Sequence, residues 1–272
     1  MHVFNKQKIG FIGGGAMCEA LVTGLFRAGL VAPSQVYISD VSEQRREQLG
    51  QKLGVNTMAD NCAVTGAADI VIISVKPHVA AVVLKEIAAV ARPEQIFISI
   101  AAGVTISQIE SCLAGPIPVI RVMPNTPCLV GEGASAVSAG RYAGEDSVKT
   151  AMAIFNAAGK AVEVPESLLD CVTGLSGSGP AYMYLILESL ADGAVRLGLP
   201  ANIAGELAAQ TMLGAAKMVL ETKEHPAKLK NMVTTPGGTT AAGLFALEEG
   251  ALRSVLMKAV AGATRRSREM SG

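Results

Sequence analysis

The densest chemistry in this chain lies in Thr234-Thr-Pro-Gly-Gly-Thr-Thr-Ala-Ala-Gly-Leu-Phe-Ala-Leu-Glu248. Pro236 fixes one backbone angle, and Gly237 and Gly238 let the main chain pass close to another molecule. Thr239 and Thr240 follow, where a helical pattern begins. Backbone N–H groups at a helix start are unpaired donors that favour an anion. The turn therefore suits a carboxylate, with a threonine hydroxyl directed at the group beside it. A capped helix start after a tight turn has the same signature, and both readings stand at this point.

A second constellation, Gly10-Phe-Ile-Gly-Gly-Gly-Ala-Met-Cys18, ends an apolar run and opens a helical pattern. Gly13-x-Gly15 makes a tight turn and lets the backbone approach a pyrophosphate. The third glycine of that fingerprint falls at Cys18, a small residue that still permits close packing. The glycines count because they sit between a strand and a helix in a βαβ pattern. Asp40 ends the second strand, where an acid usually holds the adenosine ribose and repels a 2′-phosphate. Ser39, Ser42, Arg45 and Arg46 lie near it and could hold that phosphate, or the arginines could be a solvated helix face. Lys76-Pro77-His78, Ala101-Ala102-Gly103 and Met123-Pro-Asn125-Thr-Pro127 each follow a strand, where ligands of open α/β sheets sit. Small residues at 101–103 would let a flat ring lie on the backbone. Asn125 offers an amide for a cofactor or for its own turn.

The elements that must position these residues change character along the chain. Lys8–Ile12, Val36–Asp40, Ile70–Val75, Ile96–Ala101 and Val119–Met123 read as strands. Helical patterns at Met17–Ala28, Glu43–Leu53, Val79–Ala91 and Ser107–Leu113 alternate with them. A strand near Ala134–Ser138, a helix near Glu145–Ala157 and a strand at Ala161–Val164 complete this part. Such alternation predicts a buried parallel sheet covered on both faces. After Pro165 the strand signal stops, and Ala181–Leu197, Ala201–Leu220, Thr239–Glu248 and Ala251–Met270 are helical patterns. The fold class is thus α/β: an N-terminal Rossmann-like domain over 1–165, then an all-helical domain over 166–272. Helices this rich in Ala and Gly bury their apolar faces only partly alone, which predicts a helical dimer interface.

Lysine and arginine balance aspartate and glutamate at 23 each in 272 residues, so nothing suggests nucleic acid. The five cysteines are scattered and odd in number, which reads as buried thiols in a reducing cytoplasm. Three distant histidines offer neither a metal cluster nor a His-based triad. No apolar run has membrane-spanning length, and Lys8–Ile12 is too short for a signal core.

Taken together, Gly10–Met17, Val75–Pro77, Ser99–Gly103, Arg121–Pro127, Val172–Tyr182 and Val233–Glu248 resemble pyrroline-5-carboxylate reductases in order and spacing, across nearly the whole chain. The last two segments are the specific ones. The resemblance implies reduction of 1-pyrroline-5-carboxylate to L-proline by NADPH or NADH, and a helical dimer that assembles into a decamer of five dimers. It implies a substrate site at Glu166, Ser178, Gly237, Gly238, Thr239 and Thr240, with Thr240 facing the ring nitrogen. It implies a cofactor site at Ile12, Gly13, Gly14, Gly15, Ala16, Met17, Asp40, Asn61, Val75, Lys76, Pro77, Ala101, Ala102 and Asn125, and no metal. Three positions depart from the family pattern. Thr235 replaces a usual serine, Met232 replaces an asparagine of some members, and Asp40 replaces a smaller polar residue.

The residues agree with that chemistry on their own terms. No paired acid–base set is present, as oxidation of an alcohol would require. An imine nitrogen is itself basic, so its reduction needs chiefly positioning and one proton. A β-hydroxyacid dehydrogenase, the competing Rossmann-plus-helices enzyme, needs a lysine on its early second-domain helix, and Ala181–Ala194 has none. A nucleotide-binding sensor without turnover, or a reductase of another cyclic imine, remains the alternative.

Overall fold

Ile9–Ile12 and Ile70–Ile73 are buried along their whole length, which requires strands on both sides and cover on both faces. In the computed structural model, which describes Phe4 and Gln7–Ser271, they are β1 and β4 of an eight-stranded sheet. The other strands are β2 (Val36–Ser39), β3 (Asn56–Met58), β5 (Ile96–Ser99), β6 (Val119–Met123), β7 (Gly133–Ala139) and β8 (Gly159–Glu163). Their order is β3-β2-β1-β4-β5-β6-β7-β8. Strands β1–β6 are parallel as expected, but β7 runs antiparallel to β6, and β8 runs with β7. Residues 124–132 are too few for a parallel crossover, which takes about a dozen residues or more, so the chain must return antiparallel.

Helices α1 (Ala16–Arg27), α2 (Glu43–Leu53), α3 (Asn61–Ala67), α4 (Pro77–Ile87), α5 (Ile106–Cys112) and α6 (Glu145–Asn156) cover the sheet. Alternate strand residues face opposite ways, and the core is accordingly double. Ile9, Phe11, Ile70 and Ile72 pack with Leu21, Leu25, Ile154 and Phe155. Ile12, Val71 and Ile73 pack with Val64, Leu84, Ile87 and Ile109. Helix α3 comes close because Gly10 has no side chain: a Cβ there would stand 2.8 Å from Val64 and 2.9 Å from Ala68. In register, Ile12 pairs with both Ser39 and Ile73. The ends of β1, β2 and β4 are therefore level, and the chain leaves β1 and β4 towards opposite sides of the sheet. That reversal opens a crevice at their carboxyl ends.

The remaining helices are α7 (Leu169–Val172), α8 (Gly179–Arg196), α9 (Ala201–Thr222), α10 (Pro226–Met232), α11 (Thr239–Glu249) and α12 (Leu252–Ser271). The chain forms two compact units, one of residues up to Ser178 together with those from Gly262, the other Gly179–Ala261. In the second unit α8 packs on α9, joined through Gly198 at φ +100°. Gly179 and Ala204 are its buried residues, whereas Leu185, Leu207, Phe245 and Met257 are all more than half exposed.

All five cysteines are free, but only Cys18 and Cys128 are the buried thiols that were expected; Cys171 is exposed. Among the described residues no helix is long and apolar enough to cross a membrane.

Candidate active site

Gly13 leaves β1 with φ +99°, and a Cβ there would stand 2.8 Å from the Ser74 carbonyl oxygen. Only glycine fits both restrictions. Ser74 grips the turn, its Oγ donating to the Gly13 carbonyl at 2.6 Å and its amide to the Ile12 carbonyl at 2.9 Å. Gly14 is pressed against Leu49, whose Cδ1 would lie 2.6 Å from an added Cβ. Gly15 faces open space and begins α1 without a side-chain cap. The first amides of α1 are thereby left for an anion. Cys18, at the third fingerprint position, is fully buried, and burial pushes its thiol far up, so it stays protonated packing. Close approach of α1 is served by Gly24, where a Cβ would meet the Ala157 carbonyl at 2.7 Å.

Beyond these strand ends lies a cleft of about 620 Å³. Gly13, Gly15, Ala16, Met17, Asp40, Asn61, Val75, Lys76, Pro77, Ala101 and Ala102 line it. Ile12 and Gly14 are not on its wall, the first being buried in the sheet and the second held against Leu49 and Asp40. Val79 and Val83 on α4, Met123 at the end of β6 and Thr126 beyond it also line it. The sequence reading placed the Met123–Pro127 segment at a ligand-bearing strand end but missed Val79 and Val83; the helical pattern at Val79–Ala91 held the signal, since its first turn follows a strand end. An uncapped helix start, an open Gly15 and an apolar wall fit a dinucleotide.

At one end of the cleft Asp40 is engaged with the chain itself. Its Oδ2 accepts from the Gly14 amide at 2.9 Å and its Oδ1 from the Ser42 amide at 2.9 Å. Arg45 donates through Nε to the Gly14 carbonyl at 2.6 Å and pairs with Glu19 at 2.6 Å. Lys52 also bonds Glu19, and these two bonds, Lys52's the larger, hold its carboxyl below the usual range. Arg46 donates to the Asp40 carbonyl at 2.8 Å. Asn61 accepts from Ser39 Oγ at 2.7 Å and donates to Glu86 at 2.9 Å. Asp60, Cys62 and Glu86 come together there in space, a grouping invisible in sequence. Asp60 caps α3 through the Cys62 amide, and the thiol contacts the Glu86 carbonyl.

Asn125 is nearly buried and its amide works inside the fold. It accepts from the Ala134 amide at 2.8 Å and donates to the Ser176 carbonyl at 3.0 Å. Ser176–Gly177 belongs to a π-helical turn over Thr173–Gly177. The Ser178 amide closes it on the Thr173 carbonyl at 2.8 Å. Such turns insert where a helix is bent to place a group. Glu166 accepts twice on one oxygen, from the Ile106 amide at 2.7 Å and from Arg121 at 2.9 Å. Arg121 is buried on β6, a partner that strand patterning concealed.

Gly237, Gly238, Thr239 and Thr240 lie in the second unit. Thr235–Gly238 closes as a turn, the Gly238 amide donating to the Thr235 carbonyl at 3.0 Å, with Gly237 at φ +68°. Proline second and a left-handed glycine third is the type II pattern. At Gly238 a Cβ would press on the Thr235 hydroxyl, which would have to turn aside. Helix α11 then starts at Thr239 with no side-chain cap. Its opening amides are free donors, and the half-buried Thr240 is the second residue among them.

Residues 166–270 match the family model for pyrroline-5-carboxylate reductase dimerisation. Residues 8–103 match that for NADP oxidoreductase, coenzyme F420-dependent. A pyrroline-5-carboxylate reductase of Methanosarcina acetivorans is 48% identical over 97% of this chain and 98% of its own. The solved structure of a pyrroline-5-carboxylate reductase from Coxiella burnetii superposes with TM-score 0.94 at 38% identity, covering 98% of this chain and 100% of that one. That of Plasmodium falciparum pyrroline carboxylate reductase, with NADP bound, gives 0.87 at 33% identity over 98% and 99%.

Proposed function

The chain belongs to the pyrroline-5-carboxylate reductase family, and on that premise we propose how its own residues carry the reaction. It is an NAD(P)H-dependent oxidoreductase that reduces 1-pyrroline-5-carboxylate to L-proline, the last step of proline synthesis. The bound nicotinamide supplies the hydride that the imine carbon receives. The amides opening α11 hold the substrate carboxylate, and Gly237 and Gly238 let the ring come close to the backbone. Thr240 Oγ donates to the imine nitrogen, which favours the iminium form, and water restores its proton. Small residues at Ala101 and Ala102 leave room for a flat ring, and the start of α1 takes the diphosphate. The observation that carries this reading is the uncapped start of α11 behind a turn whose Gly237 takes a left-handed φ.

The test is loss of NADH or NADPH absorbance with 1-pyrroline-5-carboxylate, with proline assayed as product. Oxidation with equimolar proline is the expected result. Folded protein that binds nucleotide but oxidises neither cofactor would favour a sensor, or a reductase of another cyclic imine.

Two copies bury the exposed apolar faces of the helical unit against each other, and five such dimers form a decamer in the cytoplasm. Supporting this are the match to a dimerisation domain and the largely exposed Leu185, Leu207, Phe245 and Met257. Light scattering should give ten times the 27.9 kDa chain mass. A mass of two chains would retain the dimer and remove the decamer; a monomer would remove both.

A further inference from the structure

We propose that the ribose end of the cleft selects NADH over NADPH, because the Asp40 carboxylate stands there as a fixed negative charge and already takes two of the backbone donors beside it. The inference rests on the dinucleotide reading of the cleft and adds the choice between the two nucleotides. Asp40 is an anion fixed on two sides, by the Gly14 amide at 2.9 Å and the Ser42 amide at 2.9 Å. The second bond uses an amide at the entry to α2, where an incoming anion would otherwise bind. The Arg45 amide, third in α2, is taken by Ser42 Oγ at 3.2 Å. Each carboxylate oxygen keeps lone pairs for ribose hydroxyls. A 2′-phosphate brings close to two negative charges instead and no hydrogen to donate.

The cations nearby are already engaged within the chain, Arg46 through only one of its nitrogens. Arg45 is bound to the Gly14 carbonyl and to Glu19, and Glu19 is further paired with Lys52 at 2.7 Å. Arg46 donates through one nitrogen to the Asp40 carbonyl at 2.8 Å and to that of Val41 at 3.3 Å. Ser39 Oγ, buried, donates to Asn61. Glu43, exposed in the first turn of α2, adds a second negative charge. Ser39, Ser42, Arg45 and Arg46 thus each already bond within the chain, to Asn61, the start of α2, the glycine turn and the strand end.

The experiment is titration of each reduced nucleotide without substrate, read from nicotinamide fluorescence and checked by calorimetry. NADH is expected to bind about tenfold or more tightly than NADPH, with the difference shrinking as salt rises, since the repulsion between charges is screened. D40S should bring the two within about threefold of each other, by weakening NADH and strengthening NADPH. R46Q should leave NADPH weak; a further loss of NADPH alone would mean that Arg46 turns to meet the phosphate, against the proposal. Wild-type protein that binds NADPH as tightly as NADH overturns the selection and leaves the reductase intact. Protein that binds neither nucleotide overturns both. The wild-type comparison decides even if D40S folds poorly.

Discussion

Thr240→Ala is expected to lower kcat with 1-pyrroline-5-carboxylate by about 10²-fold or more, the usual worth of a positioned proton donor. Nucleotide affinity should stay within about twofold, because the glycine turn after β1 is untouched. The selectivity of the loss follows from what alanine keeps. It leaves the backbone amide proposed to meet the carboxylate, and it is the best helix former, so α11 still starts at Thr239. Only the hydroxyl goes. Thr65, Thr173, Ser176, Ser189, Thr222 and Thr234 each donate to the carbonyl four residues earlier. Four residues before Thr240 stands Pro236, outside the helix, so no helical carbonyl captures its proton. Thr240→Ser should recover most of the rate. The deficit of Thr240→Ala should also narrow at low pH, where the imine arrives protonated. An alanine variant within threefold of wild type across pH would remove Thr240 from the proton path.

How far this was legible depends on where each signal resides. Strands buried on both faces, such as Ile70–Ile73, are unbroken apolar runs and read directly. The three-residue edge strand β3, Asn-Thr-Met, has no such run and was missed. Helix α3 was missed too: it is seven residues long with Gly66 inside, and its packing depends on an absence at Gly10, far away in sequence. Helix α10, short and polar, gave little periodicity. The reversal of β7 was available from the length of 124–132, had it been weighed against the reach of a crossover. In the site, glycines and proline mark both turns because their backbone restrictions are local. The grip of Arg45 on Gly14 and of Glu166 on Arg121 spans 31 and 45 positions. Nothing local records such pairs, so Arg45 read equally as a solvated face or a phosphate ligand.

Glu166→Ala should lower stability by about 2 kcal/mol, or roughly 4–8 °C in melting temperature. Breaking a buried ion pair by removing one partner costs about 3–5 kcal/mol, since the other charge is left without compensation. Here the Glu166 side chain is 31% exposed and that of Arg121 10%, so water reaches one side and the cost is discounted. The Ile106 amide, first in α5, loses its acceptor as well. The capping box between Thr105 and Gln108 remains and keeps α5 started. Removing both charges with matched apolar side chains, Arg121→Met with Glu166→Leu, should restore most of the melting temperature, because neither charge is then buried alone. That pair of variants also separates two roles. A Glu166 that only braces β6 against the start of α5 would regain the KM for 1-pyrroline-5-carboxylate together with stability. A Glu166 that also faces the substrate, as the resemblance implies, would leave KM raised in a fully stable double variant. One oxygen accepts both internal bonds, so the other is available for that second role. The KM of the double variant, read beside its melting temperature, distinguishes brace from binding group.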